Sequence, residues 1–152
     1  MKFLFFVVTL LIVPFSFSQK DKIKIEKDIV YQNDAPVFKL DMVTMNNIKL
    51  KSLDNKELAY FKCLDYYDSK AVSSGNPKGR IVYFDVTFFN QGNQKCEIPC
   101  DGMKKWLAKY ILEHQLMEGN ELNQDAVDRF VAIHGTKFSE DKNRSTTIII
   151  VR

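Results

Sequence analysis

Three cysteines, two histidines and a tyrosine pair flanked by aspartates are the residues in this chain whose chemistry goes beyond packing: Cys63, Cys96 and Cys100, His114 and His134, and Tyr66 with Tyr67 between Asp65 and Asp68. An odd number of cysteines leaves at least one thiol unpaired within a monomer. On a continuous strand Cys96 and Cys100 would stand about 13 Å apart, beyond the roughly 7 Å between Cα atoms that a disulfide spans, unless Pro99 breaks the strand and lets them approach. If the strands carrying Cys63 and Cys96 flank one central strand, those two are about 9.6 Å apart, and their bridge is disfavoured as well. The C-x3-C spacing is not the C-x-x-C of thiol oxidoreductases, and no helix begins at Cys96 to lower its pKa. The cysteines are therefore expected to act as small buried hydrophobes. Cys96, in phase with Ile98 and alternating with charged Lys95 and Glu97, is expected to be inert packing.

Metal binding needs clustered ligands, and His114 and His134 each stand alone on their segments with no HxH or HxxxH partner. Zinc held by these two with Cys96 and Cys100 is a conceivable set. Lone histidines are more often packed or solvated, and we assign no metal, no cofactor and no catalytic residue. Neighbouring side chains on a strand face opposite sides, so one of Tyr66 and Tyr67 should be core and the other surface.

These residues are positioned by strands first. Ile81 to Phe89, IVYFDVTFF, is β-branched and aromatic throughout, with no Gly or Pro, and reads as a central strand. Val82, Phe84, Val86 and Phe88 share the core face; Tyr83, Asp85 and Thr87 share the wetter one. After the turn Asn90 to Gln94, Lys95 to Cys100 alternates again, with Cys96 and Ile98 inward and Lys95 and Glu97 outward. Before the central strand, Lys22 to Glu26, Asp28 to Tyr31, Val37 to Val43, Ile48 to Leu53 and Leu58 to Tyr67 supply four or five more. Gln32, Asn33 and Asp34 with Pro36 mark one turn, Asn46 with Asn47 a second, and Asn55 a left-handed position in a third. Asp68 to Gly79 is polar and glycine-containing, and is expected to be an exposed, mobile crossover and not a binding or gating loop.

Beyond Cys100 the apolar period changes from two to 3.6. A helix from Gly102 to Glu118, capped by Asp101 and stopped by Gly119, carries Trp106, Leu107, Tyr110, Ile111 and His114 on one stripe. A second, capped by Asn123 with Leu122 stapled to Val127, carries Val127, Phe130, Val131 and His134 and ends at Gly135. The short link Gly119 to Leu122 implies an antiparallel pair covering the Val82, Phe84, Val86, Phe88 face. Thr136 to Arg144 is polar, and Thr146 to Val151 reads as an added strand. Strands followed by helices give an α+β domain: a mainly antiparallel sheet of about five to seven strands, covered on one face by a C-terminal helix pair.

The N-terminus carries a targeting signal. Lys2 precedes the apolar run Phe3 to Val13, and Ser16 and Ser18 fit the small-residue pattern before a cut. At about 1.5 Å per residue that run covers about half of a roughly 30 Å bilayer core, so a cleaved signal peptide over 1–18 is expected instead of an anchor. Residues 19–152 then form a single domain, exported to the periplasm or the medium, with no stable membrane insertion after cleavage. A hydrophobic content of 45% and a charged content of 27% exclude extensive disorder. The net charge of +3, spread along the chain, does not make the dense basic face that nucleic acid requires.

The signal ending FSFSQ, the hairpin KSLDNKELAYF, the run YYDSKAVSSGNPKGRIVYFDVTFF and the closing LNQDAVDRFVAIHGTKF together resemble small exported proteins of the Bacteroidota kind with no assigned activity. The resemblance implies a compartment and a shared fold and transfers no catalytic residue. Absent an acid/base set, the expected function is a non-catalytic periplasmic or secreted binding module engaging an envelope protein through sheet edges and exposed aromatics. The alternatives are a carrier of a small hydrophobic ligand or lipid, suggested by 12 Phe and 6 Tyr, and, last, a thiol-dependent enzyme using Cys96 or Cys100.

Overall fold

A computed structural model describes the backbone of residues 21–146 and the side chains of residues 21–144. The expected signal peptide lies outside the described residues, as does the expected last strand except for Thr146. Seven strands run as one meander: β1 (Ile23–Glu26), β2 (Ile29–Gln32), β3 (Ala35–Thr44), β4 (Asn47–Lys51), β5 (Glu57–Tyr67), β6 (Arg80–Phe88) and β7 (Lys95–Pro99). Each is antiparallel to its sequence neighbours. Turn chemistry explains the order. Lys27 and Asp28, then Asn33 and Asp34, take positive φ in pairs, the geometry of two-residue turns whose twist matches antiparallel strands. Asn55, at φ 69°, is the expected left-handed residue.

The inward face is apolar from Val30 on β2 to Cys96 and Ile98 on β7, with Phe38, Leu40, Ile48, Leu50, Phe61, Phe84, Val86 and Phe88 all fully buried between them. Two helices complete this core, α1 (Lys104–Glu113) through Leu107, Ala108 and Ile111, and α2 (Gln124–His134) through Ala126, Val127 and Phe130. Phe84 stacks on Trp106 and Phe88 meets Phe130 edge-on, which sets both helices on the predicted face. Each such ring contributes about 1.5–3 kcal/mol by burial, against about 1 kcal/mol for a helix cap. Packing therefore decides where α1 lies.

The helix ends differ from the sequence reading accordingly. Asp101 does not cap α1; Met103 takes that position without a side-chain hydrogen bond. The helix stops at Glu113, not Glu118, where Gln115 turns left-handed at φ 53° and Leu116 donates back to the Ile111 carbonyl. Leu116 is buried in the core, and a continuing helix would rotate it away. Gly119, at φ 59°, is not a helix stop but the turn of a small hairpin, β8 (Met117–Glu118) and β9 (Glu121–Leu122). In α2 the reading holds: the Asn123 side chain accepts from the Ala126 amide and Gly135 ends the helix.

The polar stretch after Gly135 is itself a helix, α3 (Lys137–Thr146). Its Phe138 stacks on Tyr83 with ring centroids 5.1 Å apart. Tyr83 alternates with Phe84, so α3 lies on the opposite face of the sheet. Coverage of one face alone is thus corrected. Tyr83, Tyr66 and Glu97, two of them assigned by phase to the wetter side, are buried at 2%, 6% and 4% exposure.

Candidate interaction surface

The two edges of the sheet are built differently, and alternation of the ladder shows how. In β7, Phe88 donates to the Gln94 carbonyl and Cys100 to the Val82 carbonyl, so the even-numbered residues bond to β6 and Lys95, Glu97 and Pro99 turn their backbone outward. Glu97 donates its outward amide to the Gly135 carbonyl at 2.8 Å. Pro99 has no amide to offer. The Glu97 carboxylate, turned onto the outer face, accepts from the Ser139 amide at 2.9 Å and from the Ser139 hydroxyl. It sits on the first turn of α3, where free amides and the helix dipole favour an anion. The β7 edge is closed.

At β1 the Asn33 amide donates to the Lys22 carbonyl and the two-residue turn Lys27–Asp28 pairs Glu26 with Ile29. Lys24 therefore bonds with Tyr31, and Ile23 and Ile25 direct their amides and carbonyls away from the sheet. Beside this edge lies a depression of about 560 Å³ between β1 and α1, lined by Asp21, Ile23, Lys105, Lys109, Leu112 and Glu113. The outward phase of β1 is charged, with Lys24 paired to Glu26 at 2.5 Å and Lys22 to Asp34 at 3.4 Å. Farther along the outer face, Lys49 pairs with Glu57 and Lys51 with Asp41. The Lys51 hydrogen bond holds the Asp41 carboxyl below its ordinary range.

The cysteines separate into one and two. Cys96 is fully buried and burial pushes its thiol up to about 12. Cys63 and Cys100, a pair the spacing argument passed over, bring their sulfurs to 3.7 Å. Cys63 faces Phe84 in the register and Cys100 donates to Val82, so the two lean toward each other across β6 on the inner face. Burial first, then its contact with Cys63, pushes the Cys100 thiol up to about 12 as well. A nucleophilic thiol requires the reverse shift.

The histidines, alone in sequence, meet in space. Trp106 and Tyr110 of α1 and its C-cap His114, spaced four residues apart, interleave with Phe130 and His134 of α2: Tyr110 lies 4.5 Å from His114, Phe130 4.4 Å from His134, and His114 6.0 Å from His134 by ring centroids. The Tyr110 hydroxyl is 3.2 Å from His134 Nε2. Burial, then the neighbouring His114, lowers the pKa of His134. Cys96 and Cys100 do not join them, and no group of three or more His, Cys, Asp or Glu side chains is placed to hold a metal among the described residues. The cluster binds α1 to α2.

Tyr66 is core and Tyr67 is 59% exposed, as strand alternation requires. The crossover Asp68 to Gly79 is held by Asn76, whose side chain bonds the carbonyls of Ala71 and Arg80 and the Arg80 amide. It closes where Asp68 donates to the Gly79 carbonyl; at φ 64°, a Cβ on Gly79 would come within 2.1 Å of the Asp68 oxygen, so only glycine fits. No helix among the described residues is long and apolar enough to cross a membrane. No protein-family model, no curated protein and no solved structure matches this chain.

Proposed function

We propose that this chain is an exported, non-catalytic interaction module that takes an extended segment of another envelope protein onto its β1 edge. The observation that carries the reading is the asymmetry of the sheet. One edge is closed by Gly135, Pro99 and α3; the other presents the backbone of Ile23 and Ile25 beside a depression whose lining includes Leu112. Added strands gain main-chain hydrogen bonds at such an edge, and pockets for alternate side chains select among them. In two copies pairing antiparallel, Lys24 faces Lys24 in one register and Glu26 in another, so these charges select register. An acidic residue in an incoming segment would meet Lys24 favourably.

Export rests on the apolar leader with its small-residue cleavage pattern, and the resemblance to small exported proteins of the Bacteroidota kind agrees with it. An antiparallel course for α1 and α2 would brace the sheet behind the edge. A carrier role has weaker support, because Phe38, Phe61, Phe84 and Phe88 fill the core at 0% exposure. A thiol enzyme is disfavoured by the upward shifts of Cys96 and Cys100.

The test is retention from envelope extract on the immobilised mature domain. Wild-type protein should retain a partner that Ile25→Pro loses, because proline removes an outward amide and no β1–β2 bond. Lys24→Glu, which keeps the backbone intact, should weaken retention. Failure to retain any protein above control, or equal retention by both variants, would overturn the edge reading.

A further inference from the structure

The odd cysteine count resolves spatially into a buried single thiol and an adjacent pair. We infer that Cys63 and Cys100 are a disulfide site, oxidised once the protein leaves the cytoplasm, and that Cys96 remains a thiol. The inference deepens the proposed function in one respect: it rests on export for its oxidising environment.

Geometry carries it. The sulfurs stand 3.7 Å apart and a disulfide needs about 2.05 Å, so closure asks for roughly 1.7 Å of approach. The sequence supplies that freedom on one side. Cys63 is fixed within β5, whereas Cys100, its amide still donating to the Val82 carbonyl, is the first residue past β7 and leads through Gly102 toward α1, so the approach falls to the Cys100 side. Both thiols are partly exposed, and so open to an oxidant; Cys96 is fully buried and paired with Val86 of β6. The bond would join β5 to the junction of β7 and α1 across β6, and would close a loop between positions separated by 37 in sequence.

The chemistry balances with a disulfide-bearing oxidant, either a small-molecule disulfide or an exported thiol oxidoreductase. One cysteine thiolate attacks a sulfur of the oxidant to give a mixed disulfide and releases the first oxidant thiol. The other cysteine, as thiolate, attacks the protein sulfur of that mixed disulfide and expels the second oxidant thiol. The two protein thiols lose two protons and two electrons in all, and the oxidant is reduced to two thiols. Because attack requires the thiolate and burial raises the Cys100 pKa, oxidation should quicken as pH rises.

The experiment takes the protein purified from whole cells, reduces it, and equilibrates it with oxidised glutathione at about pH 8.5, near an ordinary thiol pKa. The expected product is lighter by two hydrogens, yields one cross-linked peptide pair containing Cys63 and Cys100, and alkylates at Cys96 alone after denaturation. Its unfolding midpoint should lie above that of the reduced protein, a comparison that needs no variant. Cys96→Ala should respond to the oxidant in full, and Cys63→Ser with Cys100→Ser not at all. An unchanged mass at equilibrium, or a cross-link that includes Cys96, overturns the inference. Export is read separately, by fractionating the cells: recovery of the protein in the cytoplasm refutes export without touching the in vitro cross-link, and a missing cross-link refutes the site without touching export.

Discussion

Replacing Glu97 should detach α3 from the β7 edge, and the structure sets the scale of the loss. The carboxylate is 4% exposed and accepts both from the Ser139 amide at 2.9 Å and from the Ser139 hydroxyl. Hydrogen bonds to a charged group contribute about 1.5–3 kcal/mol each, and the helix N-terminus adds about 0.3–1 kcal/mol for a negative charge. Against these stands the cost of burying the carboxylate, several kcal/mol before compensation. Glu97→Gln keeps an acceptor in place but gives up the charge, and should cost about 1–2 kcal/mol. Glu97→Ala removes both bonds and leaves the Ser139 amide without its partner, and should cost about 3 kcal/mol. Two-state urea unfolding gives the numbers from the midpoint at constant m. Amide exchange of Ser139 and Glu97, measured in parallel, locates the damage: it should quicken in Glu97→Ala more than exchange of Phe61, in the middle of β5. A Glu97→Ala loss below about 0.5 kcal/mol, within the range of ordinary surface substitutions, would refute the claim that this side chain fastens α3.

Cys96, buried and pushed up to about 12, should be roughly a thousandfold less ionised at pH 8 than an ordinary thiol. Alkylation of the native protein, followed by peptide mapping, should leave it unlabelled, and Cys96→Ala should lower stability by about 1 kcal/mol; rapid native labelling contradicts both. His134 has a folded pKa below its unfolded one, owing to burial and then to His114. Near pH 6.5 the unfolded chain thus binds more protons, so its contribution is complete above about 6.5 and is lost as pH falls toward the folded value. Urea midpoints measured across that interval should decline on acidification, and His134→Gln should shrink the decline.

Much of the fold was legible because the sheet is a meander. Period two in Ile81 to Phe89 and turn residues such as Asn33 and Asn55 mark the elements and their connections, and the order, which the sequence left open, is that of sequence neighbours throughout. Where local signals competed with packing, the reading slipped. Asp101 and Gly119 are good capping residues in isolation, yet burial of Leu116 and the Trp106–Phe84 stack outweighs a cap. Glu97 and Tyr83 were assigned to the wetter phase because alternation names a face without saying what covers it. The cover is α3, whose composition (Lys137, Ser139, Glu140, Asp141, Lys142, Asn143) hides a single anchoring ring, Phe138. The Cys63–Cys100 approach and the His114–His134 contact were illegible for a related reason. Each joins elements far apart in sequence, and no spacing rule reaches across an intervening strand or between two helices.

The same topology leaves two edges among the described residues, and they are built differently. A meander always leaves its first and last strands exposed along one side, and each exposed ladder invites another chain. At the C-terminal end this chain answers with three devices on consecutive outward positions: charged Lys95, the Glu97 amide satisfied by Gly135, and Pro99. At the N-terminal end its measures are milder, a strand of four residues with Lys24 and Glu26 on its outer phase. Those measures blunt the edge without closing it, and they leave the amides and carbonyls of Ile23 and Ile25 directed away from the sheet. Under the proposed function, that asymmetry leaves one ladder of donors and acceptors for a partner strand.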